Sequence, residues 1–307
     1  MCIEIWRERA GAFLQLLNFV SISGFTTAPL IVAPFLPTEA RDCTVTKDAE
    51  THEEPESHVY VAYVIVGLYC LVAASLFLII YIFDAKSRGF YKKALNLDEE
   101  EQKAKHGYSK PKLILIYFLF YFLILFYGGI EVGFCGIVPT FAVNVLKWSE
   151  QKGALVVTVV QGSNALFTAF GALLSRYFRP ETIILVDVFI VCLALLLLSV
   201  FVTATPNMLW ACSVLLGIGS ASIMPSAYTW AHEKLEITGV FNGFYWCGFF
   251  TGFTVMPLLA SYLMETYEQI WFCYLFLACS IFVVIFYLLL RIVLRESKHS
   301  SLVVVCN

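Results

Sequence analysis

Residues 240–263 read VFNGFYWCGFFTGFTVMPLLASYL. With its flank from 238, this stretch is apolar over the length of a membrane crossing, yet it carries Gly239, Gly243, Gly248, Gly252 and Pro257. A second stretch near the other end follows the same plan. Gly11, Phe13 and SGFTTAPL (Ser23 to Leu30) align without gaps with Gly239, Phe241 and TGFTVMPL (Thr251 to Leu258). Gly24-Phe25-Thr26 returns as Gly252-Phe253-Thr254, and Pro29-Leu30 as Pro257-Leu258. Glycine and proline hold the register, not only generic Leu or Val, so the pair reads as an internal structural repeat.

The rest of the chain fits that reading. Of its 307 residues, 60% are hydrophobic and 14% charged, against about 25% charged in soluble domains. The mean hydropathy is +0.79. A soluble core of this length has no use for so much apolar surface, whereas a protein solvated by lipid does. A net charge of −3 and the lack of a basic, aromatic-interleaved patch give no sign of a nucleic-acid partner. The ten cysteines form no CxxC pair and no Cys/His zinc spacing. No phosphate loop, HExxH motif or nucleophile–base pairing occurs, so neither an enzyme nor a bound cofactor is expected.

A spanning helix needs about 20 mostly apolar residues. Eight segments qualify, at about 11–36, 59–83, 113–141, 153–175, 182–203, 207–230, 238–263 and 270–290. The expected fold is therefore all-α, a polytopic membrane protein with eight transmembrane helices. The amino terminus mixes Glu4 and Glu8 with Arg7 and Arg9 and lacks a small-residue cleavage site, so it does not read as a signal peptide. With both termini placed in the cytoplasm, sixteen of the twenty Lys and Arg residues fall on that side. Only Arg41, Lys47, Lys147 and Lys152 fall outside, a strong positive-inside bias. Eight of the sixteen lie in the charged loop 84–112.

The matching spans are the first and the seventh, so the repeating unit is six helices. Transporters with two six-helix halves place equivalent helices at that interval. The seventh span would then be the fifth helix of a carboxy-terminal half, and the first span the fifth helix of an amino-terminal half lacking its first four. The expected organisation is 1–83 as the last two helices of an amino-terminal bundle and 84–112 as a cytoplasmic linker. A complete six-helix bundle at 113–290 and a cytoplasmic tail at 291–307 follow.

WRERAGAFLQLLNF (Trp6 to Phe19) leading into SGFTTAPL, YGGIEVGF (Tyr127 to Phe134), GIGSASIMPSAYTW (Gly217 to Trp230) and a degenerate basic turn LSRYFRP (Leu174 to Pro180) resemble the major facilitator superfamily. Within it they are similar to the sodium-dependent glucose transporter 1-like branch. The resemblance implies a partial major facilitator fold equivalent to helices 5–12 of twelve. It implies a secondary active transporter of the plasma membrane, with the apical membrane as one option, that couples sodium entry to hexose uptake. The lack of four helices puts transport by this chain alone in doubt. A truncated, non-transporting interaction subunit is the rival reading.

Two acidic residues lie within the expected spans, Glu131 and Asp187. Asp187, near a helix end, reads as a snorkelling or capping group. Glu131 sits deep in the third span among glycines, where an ionisable group is costly and points to function. It reads either as a cation ligand or substrate acceptor, or as a neutral carboxyl bonded to a neighbouring helix. An oxygen ligand suits sodium, and a proton fits equally. Sugar recognition needs amides and hydroxyls with aromatic cover. Candidates are Gln161 with Asn164 and Gln15 with Asn18, each pair on one helical face. Asn242 with Trp246, beside Tyr245, and Tyr228 at the end of the sixth span complete the set. Trp148, Trp210 and Trp271, near helix ends, read as interfacial anchors.

Overall fold

A computed structural model of the chain describes residues 10–32, 59–84, 110–202, 204–235 and 238–305. The acidic loop 37–58, residues 1–9 and most of the charged loop, 85–109, lie outside the described residues. Among the described residues regular structure is helical throughout. Helix α1 is Ala10–Val32 and α2 is Val59–Asp84. The third crossing is compound: α3 (Lys110–Gly128), a π-helical turn Gly129–Gly133, and α4 (Phe134–Asn144). Next come α5 (Glu150–Leu174) and α6 (Pro180–Phe201). The sixth crossing is also divided, into α7 (Met208–Ser220) and α8 (Ile223–Lys234). Helices α9 (Gly239–Thr266) and α10 (Trp271–Val305) complete the chain.

Seven of the crossings are long and apolar enough to span a bilayer, and the eighth, α2, contributes the apolar run Tyr63–Ile79. The protein is a multi-pass integral membrane protein. The helices begin and end within a few residues of the expected spans, with one exception: α10 runs to Val305, well past 290.

Helix ends follow local chemistry. Ser149 Oγ accepts the Lys152 backbone N–H to open α5, and Thr238 Oγ1 accepts that of Phe241 to open α9. Pro180 starts α6, where its missing N–H costs nothing. At the same end, Glu181 Oε1 accepts from Trp230 Nε1 at 3.0 Å and pairs with Lys234 Nζ at 3.7 Å. The Glu181 carbonyl takes the Tyr287 hydroxyl at 2.8 Å, tying α6, α8 and α10 together. At another helix end the Trp148 and Trp210 rings stack with centroids 5.5 Å apart.

In lipid, helices associate through close packing and interhelical hydrogen bonds, because lipid tails are as apolar as leucine. The α3–α9 crossing shows this. A Cβ at Gly248 would meet the Tyr121 carbonyl, one at Gly252 would meet the Leu125 carbonyl, and one at Gly128 would meet the Phe249 carbonyl. Tyr121 then donates to Thr251 Oγ1 at 3.3 Å. An aromatic ladder, Phe122, Phe126, Phe282 and Phe286, closes α3 on α10.

Helix α1 lies along α5 and touches α8, and α2 packs chiefly on α1. The two repeated helices therefore have different surroundings. Gly252 is wedged against α3, whereas a Cβ at Gly24 would meet nothing within 4 Å.

Candidate functional site

Both divided crossings owe their breaks to sequence. Gly128, Gly129 and Gly133 weaken the third crossing, since each glycine costs about 1 kcal/mol relative to alanine in a helix. Helix α9 presses on the same turn through Phe249 and Met256. The result is a π turn, a form concentrated at functional positions. It carries Glu131 inward, 9% exposed.

The sixth crossing breaks at Ala221 and Ser222, just ahead of Pro225. Proline has no N–H and clashes with the carbonyl four residues earlier, so Ala221 loses its helical partner. Side chains from other helices take the freed groups. Tyr127 of α3 donates to the Ser220 carbonyl at 2.8 Å. Thr168 of α5 donates to the Ala221 carbonyl at 3.0 Å, and Asn18 Nδ2 of α1 reaches the same oxygen at 3.5 Å. The Ser222 backbone N–H lies close to the Asp187 carboxylate of α6. Four helices thus converge on residues 220–222.

Glu131 joins this centre through one amide. Asn164, fully buried, donates from Nδ2 to Glu131 Oε1 at 3.1 Å and to Ser220 Oγ at 3.2 Å. Its Oδ1 accepts from Thr168 Oγ1 at 3.1 Å. Tyr127 also lies within hydrogen-bonding reach of Glu131. Among the described residues no lysine or arginine pairs with Glu131. Of the two sequence readings of this residue, the hydrogen bond to a neighbouring helix is present, and the carboxylate keeps oxygen capacity for a further partner.

The other candidates distribute around α8. Gln15 Nε2 reaches Ser226 Oγ at 3.4 Å, while Gln15 Oε1 is buried without a hydrogen-bond partner. Tyr228 donates to Asn242 Oδ1 at 3.4 Å, and Tyr245 donates to the Met224 carbonyl at 2.7 Å. The Tyr228 and Tyr245 rings meet edge to face, centroids 5.3 Å apart. Two residues stand apart. Gln161 turns to α4, where Nε2 meets Cys135 Sγ at 3.4 Å. Trp246, 41% exposed, stacks on Phe250 on the outer side of α9. Asn242 and Trp246 share an exposed face, and Tyr245 points the other way, into the bundle.

Asp187 differs from its sequence reading in one respect. It lies beside the start of α8, near the Ser222 backbone N–H, and its Oδ2 is buried without a hydrogen-bond partner instead of snorkelling. Tyr127, Thr168 and Ser220 were not singled out from sequence. The signal for them was Pro225, which implies a freed carbonyl four residues back and hence donors around it.

A bundle of apolar crossings, two of them broken around a carboxylate and a set of amides and hydroxyls, belongs to the class of polytopic membrane transport proteins. The sequence profile of the Major Facilitator Superfamily matches residues 56–252, more than half of the chain. The chain belongs to that superfamily. It is similar to the sodium-dependent glucose transporter 1 of Danio rerio, 25% identical over 281 residues that cover 86% of this chain and 46% of the relative. It is also similar to the sodium-dependent glucose transporter 1 of Xenopus laevis, 24% identical over 277 residues that cover 87% of this chain and 54% of the relative. The chain spans about half the length of the curated relatives it matches.

Proposed function

We propose that this polypeptide is part of a secondary active transporter that takes up a hexose with sodium, by alternating access of two helix bundles. The observation that carries the reading is Glu131, a buried carboxyl group in a π turn whose described partners are neutral. The names of the two relatives support sodium and glucose. Sodium is a hard cation that prefers oxygen ligands. Glu131 supplies the ligand, and Asn164 and Tyr127 orient it. Gln15, Asn18, Tyr228, Asn242 and Tyr245, which gather around α8, are assigned to sugar contact, and Gln161 and Trp246, which stand apart, are left out of that set. One net charge crossing 100 mV releases about 2.3 kcal/mol, enough for accumulation of some tens-fold. The plasma membrane, with both termini in the cytoplasm, is the assigned location. The domain assignment is 1–83 from the amino-terminal bundle, 84–112 as linker and 113–290 as the carboxy-terminal bundle.

Uptake of labelled glucose by proteoliposomes, with and without an inward sodium gradient, tests this directly. Sodium-stimulated uptake that turns sodium-independent in Glu131→Gln, with sugar binding intact, is the expected result. Unchanged sodium dependence in that variant rejects the assignment of Glu131.

A further inference from the structure

The Thr168 hydroxyl has one proton and three acceptors around it. These are its helical partner, the Asn164 carbonyl, at 2.8 Å, Asn164 Oδ1 at 3.1 Å and the Ala221 carbonyl at 3.0 Å. Only one of them receives the proton at a time. The Asn164 amide beside it presents its NH2 group to Glu131 and Ser220 and its oxygen to Thr168. That orientation suits an empty carboxylate. It opposes a cation at Glu131, because an N–H donor would then face positive charge, whereas a half-turn of the amide would present an oxygen to it.

We propose that Thr168 is a positioning residue that links a cation at Glu131 to the packing of α1, by answering a half-turn of the Asn164 amide. The proposal rests on the cation reading of Glu131. With the cation bound, Asn164 Oδ1 turns to it and Nδ2 turns to Thr168. The Thr168 oxygen now accepts, so Asn164 Oδ1 is no longer open to its proton. Two backbone carbonyls remain, and the one at the helix break is Ala221. That oxygen is the one Asn18 of α1 reaches at 3.5 Å. The balance of bonds at Ala221 therefore changes with occupancy at Glu131, and α1 is the helix that reads it. All groups between Glu131 and Ala221 are buried, where a polar group left unpaired is costly.

The test uses the full chain in nanodiscs. Binding of radioactive sodium is measured alongside hydrogen exchange of the α1 backbone over 14–32, with sodium or with choline. The wild type is expected to bind sodium and to change α1 protection on binding. Thr168→Val keeps the shape and loses the hydroxyl. It is expected to bind sodium but to lose the α1 change, and Thr168→Ser is expected to restore it. Thr168→Ala makes the same comparison if the valine variant does not accumulate. Sodium that binds the wild type without altering α1 overturns the proposal, and so does an α1 response that survives loss of the hydroxyl. A wild type that binds no sodium, or a Glu131→Gln variant that binds it as well as wild type, instead rejects the cation site itself.

Discussion

Asn164 has four hydrogen-bonding positions and uses at least three of them, two across helices and one within α5, which makes it the residue whose loss is felt in most places. Asn164→Ala leaves Glu131 and Ser220 without that donor and Thr168 without one of its three acceptors. Leaving a buried polar group unsatisfied costs about 1–3 kcal/mol, so the variant is expected to melt earlier in detergent. If the amide acts on the carboxyl group, Glu131→Gln and Asn164→Ala will not add. A double-mutant cycle on thermal stability is expected to give a coupling of about 0.5–3 kcal/mol. Additive single effects reject the interaction. Asp187→Asn addresses the other side of the break. The carboxylate lies close to the Ser222 N–H, and an asparagine oxygen can accept from it equally well, so the variant is expected to retain the fold while Asp187→Leu does not.

The elements differ in what their glycines do, and the repeated pair makes the difference measurable. Gly252→Ala forces a methyl group into the Leu125 carbonyl, and overpacking of that kind costs typically about 1–3 kcal/mol. Gly24→Ala meets open space and, inside a helix, gains up to about 0.5–1 kcal/mol. Unfolding midpoints of the two variants are therefore expected to move in opposite directions. Equal shifts reject the close α3–α9 crossing. Pro225→Ala restores an N–H aimed at the Ala221 carbonyl, in competition with Thr168 and Asn18. It is expected to straighten the sixth crossing without unfolding the chain and, if the proposed sodium coupling holds, to reduce sodium-stimulated uptake. Circular dichroism together with uptake separates those effects.

At the scale of the whole molecule, the charge distribution predicts topology. An epitope inserted in the charged loop 84–112 is expected to be reached by antibody only after permeabilisation, and one in the acidic loop 37–58 in intact cells. The reverse pattern rejects the orientation. The apolar surface also has a scale of its own. Val240, Phe244, Phe250, Phe253 and Leu258 of α9 are exposed, as is most of α2. In a bilayer that surface meets lipid, which is why a composition unfit for water is stable here.

Reading the residues alone placed the helices, because the length of an apolar run is a one-dimensional property matched to bilayer thickness. It likewise placed Glu131 as the deep carboxyl group, and the glycine-proline register of α1 and α9 was visible as spacing. Spacing within one helix shows which residues share a face, and it put Asn242 and Trp246 together correctly on α9. It does not show what that face meets. Gln161 and Asn164 share a face, yet one turns to Cys135 and the other to Glu131 and Ser220. Pro225 carried the signal for a break that the continuous span 207–230 missed, and only the crossing of α1, α3, α5 and α6 over it decided which donors would fill the vacant carbonyls. Hydrogen bonds between helices depend on crossing angle and axial offset, quantities set by the packing of the whole bundle and carried by no local stretch of the chain.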